Sequence, residues 1–402
     1  MLFRIFIVVA STLPMVPAAM AQVDLHAHLY MKAGLGPLFR GEPGEAVRAR
    51  NPNSRFESKA TELTLLEPGS PKITVVSLYA HPWLSNPLKL NFLENVTRGL
   101  ETQYARLASF VDSRRDRIAL VKTPAEARVA LRNGKQVLVL SIEGAYGAFE
   151  TNADLAKWVD ERGVAIAGPF HLTEDYFGGT ALFTPLRAIL FSPLAFLESI
   201  LLSGGKCLSS FCMSPMGLKP AGRELISTLL EKRVWVDLAH ANELERGELL
   251  PEFKKRGLPL MVSHTSLRTH LHAEGSLSDL EIEYLSNTGG IVGLIPSDDA
   301  LTDGDTGGCF SGLTEFKKQF EWLESKVGKQ KVMIGSDFNS PIKGLSPSCK
   351  AREGEILGAF ETTGFFRQEQ FKALSDFVAT EPDWTKSTEE SFLAAWERIR
   401  PD

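Results

Sequence analysis

The chain has no glycine-rich phosphate loop, no Cys-x-x-Cys pair and no excess of positive charge. The first absence argues against a doubly wound nucleotide-binding sheet. The second argues against a cysteine-ligated metal. The third, a net charge of -5 with a pI near 6.0, argues against a nucleic-acid partner, which calls for a basic face. Repeats, low-complexity tracts and domain linkers are missing as well. The longest apolar stretch of the chain body, LFTPLRAILFSPLAFLESILL, is interrupted by Pro185 and Pro193 and does not read as a membrane span. What remains is 402 residues, 44% apolar and 23% charged, the composition of a folded globular protein.

The first 21 residues read as a cleaved secretory signal: Arg4, the apolar run IFIVVASTL, then Ala-Met-Ala before Gln22. Residues 22–402 are then one domain, placed in the periplasm or secreted, with no transmembrane anchor after processing. Export changes the reading of the four cysteines, which in an oxidising compartment suggest disulfides. The expected pairs are Cys207–Cys212 and Cys309–Cys349. Asn95-Val-Thr matches a glycosylation sequon, but it falls within a helical pattern and reads as chance.

Short β-branched apolar runs alternate with amphipathic stretches along the chain. The expected strands are Val23–His28, Ile73–Ala80, Gln136–Ile142, Val164–Phe170, Val234–Ala239, Leu258–Ser263, Gly290–Ile295 and Lys331–Ser336. Helical patterns fill most intervals, as at Leu93–Arg114, Pro124–Arg132 and Pro220–Glu231. Eight strand–helix units predict an α/β fold, a closed (β/α)8 TIM barrel. Three long connections, 29–72, 171–219 and 340–364, are expected to wall the catalytic face.

Six ligand-type residues stand where strands should stop: His26, His28, Glu143, His240, His264 and Asp337. Residues i and i+2 of a strand share a face, so His26 and His28 can reach one centre. A carboxylate at Glu143 is costly to bury unless paired or bound to a cation, and its two oxygens can bridge two metals. Neutral imidazoles at His240 and His264 suit zinc, iron or nickel. Asp337 can bind metal and take the proton of an attacking water. In a parallel barrel all six converge on the face where such barrels do chemistry. His81 reads as structural or as a support to the ligands, and Asp237 as a support. His270 and His272 read as solvated. The apolar stretch 182–203 reads as a lid or as a subunit interface, the latter implying a homodimer.

The segments GLKPAGRELISTLLEKRVWVDLAHANE, PLMVSHTSLR, GGIVGL, IGSDFN and SIEGAY resemble the membrane dipeptidase (renal dipeptidase) family of amidohydrolase-like barrels. The resemblance covers nearly the whole chain after the signal and is strongest from Gly217 to Asn339. It implies two zinc ions per chain bridged by Glu143, with His26, His28 and Asp337 on one and His240 and His264 on the other. It also implies that His171 binds substrate and steadies the tetrahedral intermediate. Two positions depart from the family pattern. The first strand carries His-x-His in place of His-x-Asp, which removes one negative charge. An arginine expected about eleven residues after His264 to hold a substrate carboxylate is missing; Gly275 stands in that neighbourhood, and Arg268 does not align. The expectation is an exported two-metal hydrolase that cleaves a small amide or peptide by metal-activated water, with Asp337 and His171 as catalytic groups. A lactone, ester or phosphoester substrate and a non-catalytic binding barrel are the alternatives.

Overall fold

The computed structural model describes residues 22–34, 60–86, 88–182, 193–203, 212–302, 310–349 and 356–401. The expected signal segment, Cys207 and Cys309 lie outside the described residues. The strands are β1 (Val23–Ala27), β2 (Ile73–Leu78), β3 (Ile118–Val121), β4 (Gln136–Glu143), β5 (Ile166–Gly168), β6 (Trp235–Val236), β7 (Met261–Thr265), β8 (Ile291–Leu294) and β9 (Val332–Ile334). The helices that matter below are α1 (Phe92–Asp112), α2 (Pro124–Arg132), α3 (Pro193–Leu202), α4 (Pro220–Glu231), α5 (Glu243–Arg256), α6 (Asp279–Thr288), α7 (Gly312–Val327), α8 (Phe371–Val378) and α9 (Trp384–Ile399).

The strands run parallel in the order β6-β5-β4-β2-β1-β9-β8-β7. A bridge between Asp237 and Met261, with the Leu238 amide donating to the Met261 carbonyl at 2.9 Å, joins the two ends. Eight strands therefore close a (β/α)8 barrel. β3, which the sequence reading did not anticipate, is a ninth strand outside the ring. It pairs with the first half of β4 (Gln136–Val139), while β5 takes the second half (Ser141–Glu143). The four apolar residues of β3, flanked by Arg117 and Lys122, make a run too short to stand out between two helices. β5 and β6 are also shorter than expected, because the ladder thins to single hydrogen bonds, such as Asp237 N to Ala167 O at 2.8 Å, as the strands near the rim.

The registered pairs Ile73↔Val137, Val75↔Val139 and Ser77↔Ser141 alternate along the face that ends at Glu143, and so face the barrel interior. Their buried apolar members cluster with Val23, Leu25, Trp235, Met261 and Met333, and with Phe392, Leu393 and Trp396 of α9. That filled layer supports the polar layer above it. A second, larger core lies between the outer faces of the strands and the surrounding helices, from Leu100 and Leu107 of α1 to Phe316 and Phe320 of α7. Among the described residues no helix is long and apolar enough to cross a membrane.

Candidate metal centre

Glu143, at the end of β4, is the hub of a buried polar cluster. Its Oε1 lies 3.0 Å from His240 Nε2 and 3.5 Å from both His26 and His264 Nε2. Its Oε2 lies 3.2 Å from His28 Nε2 and 3.4 Å from His171 Nε2. Asp337 Oδ1 adds contacts of 3.4 Å to His28 and 4.0 Å to His26. The Nε2 atoms of His26 and His28 are 3.1 Å apart, and those of His240 and His264 are 2.9 Å apart. All six ligand-type residues singled out in the sequence thus meet, and His171 joins them. Two triads, His26–His28–Glu143 and Glu143–His240–His264, have the spacing of metal ligands and share the carboxylate.

Local backbone features aim these side chains. The β1–β2 register slips between Asp24 and Ala27, and the β7–β8 register slips between Val262 and Thr265. Each slip is a bulge on a histidine-bearing strand, and bulges re-aim side chains beside active sites. After the bulge in β1, His26 and His28 both turn toward Glu143. His240 and Asp337 have φ of 64° and 46°, in the left-handed region that costs a non-glycine residue roughly 1 kcal/mol or more. Surrounding bonds hold them there: Ala181 N donates to His240 O at 2.8 Å, and Asp337 N donates to His26 O at 2.9 Å. Gly293 and Gly335 make room for β7, since a Cβ on either would lie 2.1 Å from Ser263 O.

The outer ring nitrogens are also fixed. His28 Nδ1 donates to the Ser77 carbonyl at 3.1 Å, which leaves its Nε2 lone pair facing the cluster when the ring is neutral. Nitrogen lone pairs and carboxylate oxygens crowded at 2.9–4.0 Å, with Glu143 Oε2 lacking any hydrogen-bond donor, fit a divalent cation.

Burial disfavours charge throughout the cluster. Glu143 is nevertheless held well below the usual carboxylate range, because burial is outweighed by His171, His26 and His240. Asp337 behaves likewise: burial raises it, yet His28, His264 and His26 bring it down to about 2. His171 and His264 are pushed well below the usual imidazole range, first by burial. Both are neutral near pH 7, the form in which an imidazole keeps one lone pair and one N–H.

Some histidines stay apart. His81 Nδ1 accepts from Trp83 N and Leu84 N at 3.2 and 3.3 Å, so it caps a turn; burial brings it down to about 4. His270 is half-buried and bonds Thr269 Oγ1 at 2.9 Å, and His272 is exposed. Asn95 is buried, with its amide donating to Asn86 O and Lys89 O at 3.1 and 3.2 Å, which leaves no room for a glycan. Residues beyond the sequence reading support the cluster. Asp24 accepts from Ser336 N at 2.9 Å and Ser336 Oγ at 2.6 Å, joining β1 to the end of β9. Asn339 donates to His28 O at 2.7 Å and to Ala60 O at 2.8 Å. The Tyr79 ring packs edge-on against His171 at 4.0 Å. Only Asp24 had a visible signal, as an acid two residues before His26.

Residues 206–353 match the family model for membrane dipeptidase (peptidase family M19). The chain is 24% identical over 245 residues to an uncharacterized protein in the pqqA 5' region of Klebsiella pneumoniae, covering 59% of this chain and 78% of that protein. Two solved structures have the same fold. One is a metallo peptidase from Rhodobacter sphaeroides liganded with a phosphinate mimic of the dipeptide L-Ala-D-Ala, with a TM-score of 0.69, 17% identity and coverage of 94% of this chain and 99% of that one. The other is the probable dipeptidase PvdM from Pseudomonas aeruginosa, with a TM-score of 0.68, 16% identity and coverage of 95% and 96%.

Proposed function

We propose that the chain is a divergent member of the membrane dipeptidase family and a metal-dependent hydrolase, and, from that premise, that it is an exported two-zinc enzyme that cleaves a small amide or peptide. The observation that carries the proposal is the convergence of five imidazoles and the Asp337 carboxylate around Glu143. His26, His28, Glu143 and Asp337 would hold one metal, and Glu143, His240 and His264 the other. Bound divalent metal supplies a water that ionises near neutral pH and polarises a carbonyl. Asp337, kept ionised by the surrounding imidazoles, takes the proton from the attacking water and returns it to the leaving group. His171, neutral and buried, donates its N–H to the oxygen on which negative charge develops. Residues 22–402 form the working domain after removal of 1–21, and Cys207–Cys212 and Cys309–Cys349 are its disulfides.

A second reading concerns the substrate. The described arginines near the end of β7 are already engaged. Arg246 pairs with Glu281 at 3.1 Å and donates to Glu274 O at 2.8 Å. Arg268 pairs with Glu243 and donates to Glu274 O and Ser276 O at 2.8 and 2.9 Å. Neither offers a free guanidinium to a dipeptide carboxylate. This favours carboxylate-blocked amides, lactones or esters. The test is zinc-loaded enzyme against matched dipeptides, their C-terminal amides, lactones and phosphodiesters. Higher kcat/KM on the blocked amides or lactones supports this reading. Selective dipeptide cleavage removes it and leaves the amide hydrolase. Activity on phosphodiesters alone removes both.

A further inference from the structure

We infer that Ser263 is a positioning residue that holds the outer ring nitrogens of two ligand histidines at once; the inference rests on the metal-centre reading above. Ser263 is buried in β7, one residue before His264. Its Oγ lies 2.9 Å from His264 Nδ1 and 3.2 Å from His26 Nδ1, the outer nitrogens of rings whose Nε2 atoms face Glu143. The Asp237 carboxylate lies within 4.8 Å of both rings and is itself fixed by Ser263 N at 2.9 Å and Ala239 N at 3.0 Å.

A serine hydroxyl has one proton and two lone pairs. Two partners share this one, the Nδ1 atoms of His26 and His264. A neutral ring that gives its Nε2 lone pair to a metal carries its proton on Nδ1, and the two lone pairs of the hydroxyl accept Nδ1–H from His26 and His264. Both rings are thereby fixed with bare Nε2 atoms toward the centre. Were the hydroxyl to donate to either Nδ1 instead, that ring's proton would move to Nε2 and the ring would stop being a ligand. One hydroxyl thus serves both metal triads, because His26 belongs to one and His264 to the other. The close approach of Gly293 and Gly335 to the Ser263 carbonyl holds the residue in place.

The test measures zinc affinity by chelator competition for wild type, Ser263→Ala and Ser263→Thr, with imidazole 15N spectra of the zinc-loaded wild type. Ser263→Ala is expected to bind zinc about 10- to 100-fold more weakly, the usual effect of losing an outer hydrogen-bond partner. Ser263→Thr, which keeps the hydroxyl, is expected to recover most of that loss. The wild-type spectra should show His26 and His264 protonated at Nδ1. Wild-type affinity in Ser263→Ala, equal loss in both variants, or either ring protonated at Nε2 in the wild type overturns the inference. The spectra decide the matter even if a variant fails to fold. A wild type that binds no zinc rejects the metal centre itself, a separate outcome.

Discussion

Glu143 has the most contacts to the rest of the cluster and the most to lose. Glu143→Gln keeps the shape but replaces one oxygen with an amide that cannot ligate. Zinc content should fall in both halves of the centre, and kcat/KM should fall by more than the ~100-fold at the upper end for outer-shell changes; elemental analysis and steady-state kinetics check this. Variants that lose activity at full zinc content would show that Glu143 acts in the chemistry without bridging. At this scale the sequence was informative, since a charged or imidazole side chain at the end of an apolar run has few other reasons to be there. It was silent on Ser263 and Ser336. A serine inside a strand looks like any other small polar residue, and its role depends on partners such as Asp24, 312 residues away from Ser336.

The elements around the centre store and balance charge. At the start of α5, Asn242 and Glu245 cap each other, with Asn242 N donating to Glu245 at 2.9 Å. Burial pushes Glu245 up to about 8 and Glu274 up to about 7. A folded carboxyl above its unfolded value prefers to stay protonated, so its contribution to stability falls as pH rises from about 4.5 to 8. Glu245→Gln keeps the acceptor and removes the charge, and should flatten the denaturation midpoint over that window; an unchanged profile would contradict it. Glu281 both caps α6 and pairs with buried Arg246. Glu281→Ala should destabilise by about 3 kcal/mol in urea unfolding, as expected when one partner of a buried ion pair is lost, and a cost below ~1 kcal/mol would reduce the pair to a surface-like contact. The helices and most strands were legible from periodicity, with α2 and α4 matching the expected bounds Pro124–Arg132 and Pro220–Glu231. The bulges in β1 and β7 and the left-handed φ of His240 and Asp337 were not: His and Asp tolerate that conformation better than most residues but do not require it, and the bonds that impose it come from distant segments.

Across the whole molecule, the centre ties together strand ends from His26 to Asp337 and spans nearly the full barrel. Metal bound only by the folded chain stabilises it by mass action, by about 2.7 kcal/mol at a hundred times Kd. Chelation should therefore lower the unfolding temperature, and zinc should restore it. The most direct measurement is the zinc content of metal-replete, purified protein by elemental analysis. Close to two ions per chain is the expected result, and a chain that retains none would contradict the account.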